Sequence, residues 1–383
     1  MSLTVVAVIL CLSAAIQLCY FLFLFLPATR DLDRNKRAAT REAPCPPVSI
    51  LICAYNEAEN LGRHLPEILA QEYPDFEVIV VNDRSSDSTA TVLDHFSKKY
   101  PRLRVVTISA EEPRIFPGKK FALSRGVTAA TNEILLLTDA DCQPASRHWI
   151  SEMVGPLTKG KDIVAGFGDY HKEKGWLNAF IRGETLHTFW QLLAYQKAGM
   201  PYMAVGRNLA CKKYLLERAQ QHPLWKATPS GDDDVLIRLC ATKENMAVAT
   251  VPDSMTYSPA KKDFKSYLSQ KQRHMSTGKL YRKNVSFLLA LYALSHAAFW
   301  LSALLYGILV LLEKGVFSDW AVAAVFLFVL RNSIFWGYLK IFQKRLRRKE
   351  NRLSFLPYFD FMWLGYNFAF SPYILWKTKQ DWY

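Results

Sequence analysis

The sequence predicts an α/β domain built on a nucleotide-binding type of sheet, with apolar helices of membrane-spanning length at both ends of the chain. Short, continuous runs of Val, Ile and Leu alternate with helical stretches between residues 48 and 139. Such runs are typical of parallel strands that are covered on both faces and joined by right-handed crossovers. One uncharged segment opens the chain and three apolar segments follow residue 284, so half of the 383 residues are apolar although 21% are charged.

The first apolar segment predicts a membrane anchor. Residues 4–26 carry no charge over 23 positions, which at about 1.5 Å per residue is enough to cross about 30 Å of hydrocarbon. A cleavable signal peptide would have a shorter apolar region and a basic start, and neither is present. We therefore expect an uncleaved anchor within residues 1–28, followed by a basic linker over residues 29–47.

The carboxyl-terminal part predicts a membrane region over residues 284–383. Its apolar segments are 285–312, 316–341 and 354–376, and the first two read as crossings. The third contains Asp360, Asn367 and two prolines. It is compatible with spanning, re-entering or lying at the interface, of which we favour spanning.

Charge distribution predicts the orientation and limits the partners. Lys and Arg cluster at residues 30–41 and 340–352, whereas 313–319 is nearly neutral. By the positive-inside rule the middle of the chain is cytoplasmic, in an integral protein of the inner or plasma membrane. The net charge of +14 sits largely beside membrane segments and no nucleic-acid motif accompanies it, so we expect no nucleic-acid partner. The seven cysteines include no CxxC pair, which favours reduced thiols.

The soluble middle predicts four strands with helices between them. The strands are VSILIC (48–53), EVIVVN (77–82), LRVVTI (103–108) and EILLLTD (133–139). One face of the first intervening helix carries Leu61, Leu65, Ile68 and Leu69. A second helix starts at about Ser88 and carries Val92, Leu93 and Phe96, and a third starts at about Lys119.

Three of these strands run into acidic residues, which predicts a ligand site. Glu57, Asp83 and the pair Asp139 and Asp141 follow separate strands, and ligands of such sheets bind at the carboxyl ends of the strands. Helix capping would also explain Asp83, and a first-turn position would explain Glu57. The pair lies on one face of an extended chain, where two carboxylates converge at low cost only around a cation. We therefore expect a hard divalent ion that carries a diphosphate.

Several motifs in order resemble those of glycosyltransferase family 2, the inverting enzymes with the GT-A fold. They are ILICAYNE, VIVVNDRSSDST, PGKKFALSRG, LLLTDADC, GDDDVLIRL and QKQRH, across about residues 48–280. The layout is similar to the membrane-integral branch that includes ceramide glucosyltransferase and the polysaccharide synthases. The resemblance implies a GT-A domain over residues 48–260 and an amphipathic interface segment over residues 261–283.

The resemblance also implies roles for the strand-end residues. The uridine pocket would be lined by residues Ala54, Tyr55, Glu57 and Asp83. Lys119 would lie near the donor, with Lys120 as a close rival. Asp139 would lie beside the ribose and the metal, and Asp141 would bind the metal, either Mg²⁺ or Mn²⁺.

The acid triplet of GDDDVLIRL matches the place of the family's catalytic acid. An inverting transfer needs one carboxylate to accept the proton of the acceptor hydroxyl, and adjacent carboxylates raise one another's pKa. Alignment makes Asp233 the expected base and Asp232 the second choice, with Asp234 still open. A helix amino terminus decorated with acids is the structural alternative.

QKQRH resembles the family's QxxRW motif, with Gln270 and Arg273 matching and His274 in place of the tryptophan. These residues, with Asn208 of GRNLACK, are the implied acceptor or diphosphate contacts. A basic amphipathic helix on lipid headgroups also fits residues 261–283. The aromatic-rich stretch 175–213 fits an interfacial helix, an acceptor platform or ordinary core packing.

These observations together predict a membrane-integral, inverting hexosyltransferase. It would move a hexose or N-acetylhexosamine from a UDP-sugar to a membrane lipid or lipid-linked acceptor. A processive polysaccharide synthase of the cellulose, hyaluronan or poly-N-acetylglucosamine type is the nearest alternative. A non-catalytic nucleotide-sugar-binding scaffold is the second, although it would be expected to lack the acid or the metal pair.

Overall fold

The computed structural model describes residues 2–35, 45–312, 320–346 and 356–370. Within these residues there are ten strands: β1 Val48–Ala54, β2 Phe76–Asp83, β3 Leu103–Ile108, β4 Ile134–Asp139, β5 Gln143–Pro144, β6 Ile163–Ala165, β7 Gly168–Tyr170, β8 Asn208–Lys212, β9 Met246–Val248 and β10 Thr256–Ser258.

The same residues form fourteen α-helices: α1 Leu3–Tyr20, α2 Leu26–Asn35, α3 Ala58–Leu69, α4 Thr89–Lys99, α5 Lys119–Ala129, α6 Trp149–Val154, α7 Trp176–Lys197, α8 Lys213–Gln221, α9 Pro223–Ala227, α10 Asp232–Cys240, α11 Phe264–Met275, α12 Lys283–Leu312, α13 Ala321–Leu346 and α14 Leu356–Phe370.

The main sheet has the strand order β3-β2-β1-β4-β8-β6-β9. Strands β1 to β4 are parallel, as predicted, whereas β8 runs antiparallel to β4 and β6 and makes the sheet mixed. The chain moves outward from β1 to β3 and then returns to β4 on the other side of β1. This reversal places a topological switch point between β1 and β4, where crevices form at the carboxyl ends of the strands.

Both faces of the main sheet are covered, which explains the unbroken apolar runs. Along β1, Ile50 and Ile52 belong to the core beneath α3, α4 and α6, whereas Leu51 and Cys53 belong to the core beneath α5 and α7. A small sheet of order β5-β10-β7 lies beyond β4. Strand β5 directly follows the Asp139–Cys142 turn, so this second sheet flanks the strand-end crevice.

Within the described ranges, three helical segments are long and apolar enough to cross a membrane: Leu3–Arg30, Lys283–Leu312 and Ala321–Leu346. They correspond to the predicted anchor and the first two carboxyl-terminal crossings. Helix α1 continues into α2 through a π-helical turn over Phe21–Phe25. Helix α14 has only 15 described residues, about 22 Å of helix, so the favoured spanning of 354–376 is not supported by them, and residues 371–376 lie outside the described part.

A buried polar cluster joins the apolar helices. Arg331 of α13 donates to Asp360 of α14 and, at 2.9 Å, to Gln17 of α1. His296 and Trp300 of α12 contact the same carboxylate at 3.1 and 2.9 Å. Arg331, Asp360, His296 and Gln17 all have no solvent exposure. This cluster thus links α14 with each of the three candidate membrane helices.

Helix α7 packs between the α/β domain and the apolar helices. In the aromatic-rich stretch 175–213, the side chains of Phe180, Phe189, Trp190 and Tyr195 are buried, so core packing accounts for these four residues. Trp190 donates to Thr29 at 2.9 Å. The buried His187 contacts Tyr292 of α12 with 3.3 Å between Nε2 and Oη, and burial lowers the pKa of its imidazole to about 3. The domain and the helix bundle therefore share one continuous core.

Candidate active site

Two loops with left-handed residues close one side of the crevice. Asn56 follows β1 with φ of 54°, and Arg84 follows β2 with φ of 59°. The Asn56 side-chain oxygen accepts from the Ser86 amide at 2.8 Å, and the Asn56 amide donates to the Ser85 hydroxyl at 3.0 Å. These reciprocal hydrogen bonds hold the loops after β1 and β2 together at the edge of the crevice.

Asp83 is a buried carboxylate with one oxygen free. Its Oδ1 accepts from Arg84 at 2.6 Å, while Oδ2 has no hydrogen-bond partner within the described residues. Helix capping belongs instead to Asp87, which accepts from the amides of Ala58 and Thr89 at 3.2 and 3.0 Å. Capping therefore does not explain Asp83, and its free oxygen is an unused acceptor at the end of β2.

Glu57 lies beside the carboxylate pair at the end of β4. Its Oε2 accepts from Asn60 at 2.6 Å, and its amide donates to Thr89 at 2.9 Å. Burial, with the charges of Asp141 and Asp139, raises the pKa of Glu57 above its usual value. Ala54 is buried at the end of β1 and Tyr55 is half-buried. The strand ends thus bring the predicted nucleotide-sugar residues to one edge of the sheet.

Asp139 and Asp141 come together as the sequence predicts. Their ligand atoms and the Cys142 sulfur all lie within 4.8 Å of one another. Burial and the neighbouring Asp139 raise the pKa of Asp141, because both effects disfavour a second negative charge at this position. Burial and both carboxylates also raise the pKa of the Cys142 thiol well above its usual value. The thiol therefore stays protonated, and the two carboxylates form a hard-oxygen site suited to Mg²⁺ or Mn²⁺.

The structure separates the two adjacent lysines. Lys119 forms an ion pair with Asp139. Burial alone raises the pKa of Asp139, but the Lys119 ammonium outweighs it and the net pKa is lowered. Lys120 points away, is 1% exposed, and donates to the carbonyls of Trp225 and Thr228 at 3.1 and 2.9 Å. Lys119 is thus the lysine of the crevice, whereas Lys120 fastens the segment that precedes the acid triplet.

The acid triplet begins α10 after Gly231, whose φ is 77°. Asp233 accepts from the amides of Gly206 and Asp234 at 2.8 and 2.9 Å. Burial and the charge of Asp232 raise the pKa of Asp233 to about 6. Asp232 lies close enough to the crevice to raise the pKa of Lys119, and the two acids share the space at Gly206, where an added Cβ would lie 3.4 and 3.8 Å from their oxygens.

Asp234 faces the opposite way from Asp232. It is 7% exposed, and burial with the charge of Asp233 raises its pKa well above the usual value, partly offset by a hydrogen bond with Thr277. Thr277 follows α11, and its Cγ2 atom would lie 2.5 Å from a Cβ placed at Gly231. Glycine is therefore required where the acid triplet meets the segment after α11, and Asp234 serves this junction.

Arg207 is a crevice residue that the sequence did not single out. Its guanidinium stacks 4.3 Å from the centroid of the Tyr170 ring and donates to the Gly168 carbonyl at 2.5 Å and the Ser258 hydroxyl at 3.3 Å. Its charge helps Lys119 to lower the pKa of Asp139 and offsets part of the increase in the pKa of Asp141. The GRN motif at residues 206–208 marks this part of the chain, but the sequence prediction is for Asn208 and not for Arg207.

Asn208 belongs to the framework rather than to the crevice. It is fully buried, accepts from Trp149 at 3.0 Å, and donates to the carbonyls of Phe167 and Ser254 at 3.1 and 2.8 Å. All of its amide atoms are occupied, so it offers no group to an acceptor. Its role is to tie β8 to the strands and loops on either side.

Helix α11 brings its QxxR residues to the crevice. Gln270, Arg273 and His274 share one helical face and keep solvent contact, and the charge of Arg273 lowers the pKa of Asp139. The protein atoms packed around the His274 ring and the charges of Lys271, Arg273 and Arg207 lower the pKa of its imidazole well below the usual value, although part of the side chain keeps solvent contact. Lys271 is buried and pairs with Glu184 of α7 at 2.5 Å.

Comparison with known proteins identifies this arrangement. A family profile described as "Glycosyltransferase like family 2" matches residues 46–277, more than half of the chain. The chain belongs to glycosyltransferase family 2. The matched range of this family 2 enzyme includes the strand ends, the acid triplet and the QxxR helix.

Relatives in the family carry different names. The chain is 29% identical over 182 residues to "Probable glycosyltransferase YdaM" of Bacillus subtilis, covering 45% of this chain and 42% of that one. It is 36% identical over 103 residues to "Beta-monoglucosyldiacylglycerol synthase" of Trichormus variabilis, covering 26% and 21%. It is 29% identical over 120 residues to "Poly-beta-1,6-N-acetyl-D-glucosamine synthase" of Staphylococcus epidermidis, covering 31% and 28%. The match thus spans less than half of each relative's length.

A solved structure confirms the GT-A fold. "Mannosyltransferase PcManGT from Pyrobaculum calidifontis in complex with GDP-Man and Mn2+" matches with a TM-score of 0.54 and 22% identity, covering 89% of this chain and 100% of that one. The predicted GT-A domain with an amino-terminal apolar helix and two such helices after it is therefore correct.

Proposed function

We propose that this family 2 enzyme is an inverting glycosyltransferase that moves a sugar from a UDP-sugar to a lipid or lipid-linked acceptor. One observation carries the proposal. The Asp139 and Asp141 pair, the Lys119 ammonium and the fixed carboxylate of Asp233 surround one crevice at the switch point of the sheet. That arrangement supplies separate groups for the donor diphosphate and for the acceptor proton.

The donor nucleotide would bind at the ends of β1 and β2. The free oxygen of Asp83 can accept a hydrogen bond from an N–H group of a base, which matches the N3–H of uracil. Glu57, with its raised pKa, lies between this pocket and the carboxylate pair. A guanine base also offers N–H donors, so direct comparison of UDP with GDP decides the nucleotide.

Asp141 and Asp139 would hold Mg²⁺ or Mn²⁺, because two converging carboxylates fit a hard divalent ion that also binds phosphate oxygens. When bound, the ion supplies charge stabilisation for the leaving diphosphate. Lys119 and Arg207 add positive charge at the same edge, as their effects on the pKa of Asp139 indicate. Arg273 of the QxxR helix would approach the diphosphate from the opposite wall.

Asp233 would act as the base. The acceptor hydroxyl oxygen forms a bond to the anomeric carbon from the face opposite to the diphosphate, the bond to the diphosphate oxygen breaks with its electron pair, and the hydroxyl proton passes to Asp233. Two backbone amides fix the orientation of this carboxylate. A pKa of about 6 leaves it ionised at neutral pH yet basic enough to accept the proton.

The position of the acid triplet supports a membrane acceptor. Thr277 forms a hydrogen bond with Asp234. Burial raises the pKa of Tyr281, and the nearby charges of Asp234 and Asp233 raise it further. Helix α12, which is long enough to cross the membrane, begins at Lys283, two residues later. The base is therefore close to the inner end of a candidate membrane helix, with the catalytic domain proposed to be cytoplasmic.

Product partition tests the proposal against its alternatives. Membranes containing the full chain are incubated with labelled UDP-sugars and Mn²⁺ and then extracted with organic solvent. Label in a small lipid supports the proposal, label in an insoluble polymer supports a processive synthase, and UDP binding without product supports a scaffold. Asp233→Asn should abolish transfer but retain UDP binding, whereas full activity of that variant would remove Asp233 from the base role.

A further inference from the structure

The amino-terminal ends of α7 and α11 form a surface that combines exposed aromatic rings with lysines. Trp176 is 55% exposed and Phe264 is 50% exposed, and their ring centroids are 6.5 Å apart. Around them lie five exposed lysines and two exposed carboxylates, Glu173 and Asp263. We define the basic aromatic surface by its rings and lysines, which are Trp176, Phe264, Lys172, Lys174, Lys261, Lys262 and Lys265.

This surface continues the face of α7 that packs on the apolar helices. Phe180 lies one turn after Trp176 and contacts Phe359 and Tyr366 of α14, with centroids 5.8 and 6.2 Å apart. Gly183, one turn further, meets the Phe359 ring so closely that an added Cβ would lie 2.9 Å from it. Trp176 therefore points in the same direction as residues in contact with the bundle, but beyond the described end of α14.

Helix α11 reaches the same level from the other side. Tyr267 packs edge-on against Phe180 with centroids 6.3 Å apart, and Phe264 precedes it by one turn. Asp263, one of the two carboxylates, accepts from the Ser266 amide at 2.9 Å as the cap of α11, so part of its charge is used on the helix terminus. The lysines consequently dominate the field around the two rings.

We propose that the basic aromatic surface binds the phosphate-bearing headgroups of anionic phospholipids in the membrane that holds the helix bundle. Tryptophan and phenylalanine rings suit the boundary between acyl chains and headgroups, and clustered lysines attract anionic lipids. Residues 371–383 directly follow α14 and are the alternative occupant. They carry Lys377 and Lys379 against Asp381, so their net charge matches that of the lysines and does not complement it.

Fluorescence quenching of Trp176 tests this site without any assumption about sugar transfer. The full chain and its Trp176→Phe variant are placed in phosphatidylcholine liposomes that contain brominated phosphatidylglycerol or brominated phosphatidylcholine at equal mole fraction. The difference between the two emission spectra isolates Trp176. We expect brominated phosphatidylglycerol to quench that difference about twofold more strongly, and added salt to reduce the excess.

Paired lysine variants complete the test. Lys262→Gln with Lys265→Gln should reduce the excess quenching by brominated phosphatidylglycerol, because two of the five lysines are lost, whereas the matched pair Lys98→Gln and Lys99→Gln, on the exposed end of α4, should keep the full excess. Equal quenching in the wild-type chain would overturn the headgroup selectivity. No quenching by either lipid would show that residues 371–383 or another protein segment covers the surface, and it would also overturn the proposal.

Discussion

Removing one partner of the buried Arg331–Asp360 pair should destabilise the protein far more than removing both. The carboxylate of Asp360 accepts two bonds from Arg331 and one from Trp300 at 2.9 Å, and contacts His296 at 3.1 Å. Neither charged side chain has solvent exposure. Asp360→Leu leaves the Arg331 guanidinium without its counter-charge inside the bundle, and Arg331→Met leaves the Asp360 carboxylate without its counter-charge.

The expected magnitude follows because the contacts that remain, Gln17 for Arg331 and His296 and Trp300 for Asp360, do not replace the pairing of the guanidinium with both carboxylate oxygens. Breaking a buried pair on one side costs about 3–5 kcal/mol, whereas replacing both charges by apolar residues of similar volume is often close to neutral. In the double variant the Gln17 side-chain oxygen loses its donor, Arg331, and the Trp300 ring N–H loses its acceptor, Asp360, at a cost of about 1 kcal/mol each. The double variant should therefore recover at least about 2 kcal/mol relative to the sum of the single variants.

Unfolding free energies in mixed micelles, measured for the wild type, both single variants and the double variant, give this coupling directly. Val329→Ala, at a position of α13 that is 56% exposed, is the matched control and should change stability by about 0.5 kcal/mol or less. The reasoning would be refuted if each single variant cost less than about 1 kcal/mol, or if the double variant cost the full sum.

The remaining predictions concern the crevice. Lys119→Ala should weaken UDP-sugar binding with little effect on unfolding. Lys120→Ala should lower the thermal stability because the carbonyls of Trp225 and Thr228 lose their donor. Equal effects of the two variants on binding and on stability would contradict the assignment of Lys119 to the crevice and Lys120 to the framework. The transfer rate should rise with pH through about 6 and then level off, because Asp233 must be ionised to accept the proton and its pKa is raised to about 6; a rate that falls across that interval would count against it. The same raised pKa means that ionisation of Asp233 disfavours the folded state. Asp233→Asn should therefore gain stability relative to wild type as the pH rises from the ordinary carboxyl pKa to about 6, keep a constant difference above that, and lose the gain in acid, as thermal melts across pH would show.

The first four strands could be predicted from local pattern alone. These strands are six to eight residues long, and β1, β2 and β4 are buried on both faces whereas the edge strand β3 is partly exposed. Each of the four lies within about two residues of its predicted span. The antiparallel β8 and the three-residue strands β6 and β9 could not be predicted. Their pairing joins segments far apart in sequence, for example Ile163 with Met246, and three residues carry no periodicity to detect.

The strand-end carboxylates were predictable because parallel strands deliver their carboxyl ends to one edge. The choice between Lys119 and Lys120 was not, since adjacent residues of a helix start differ only in the direction that packing gives them. Asn208 and Arg207 show the same limit, because the amide turned inward to three framework partners while the guanidinium turned to Tyr170 and the crevice. Asp360 could be flagged as costly in an apolar segment, but its partner lies on another helix.

Binding of Mn²⁺ in the presence of UDP, followed by electron paramagnetic resonance, tests most directly whether the carboxylates of one crevice hold a divalent ion with a nucleotide diphosphate. The wild-type chain and Asp233→Asn should bind one Mn²⁺ in a UDP-dependent manner, Asp141→Asn should lose that binding, and the capping-residue variant Asp87→Asn should retain it. Unchanged UDP-dependent Mn²⁺ binding by Asp141→Asn would contradict the account.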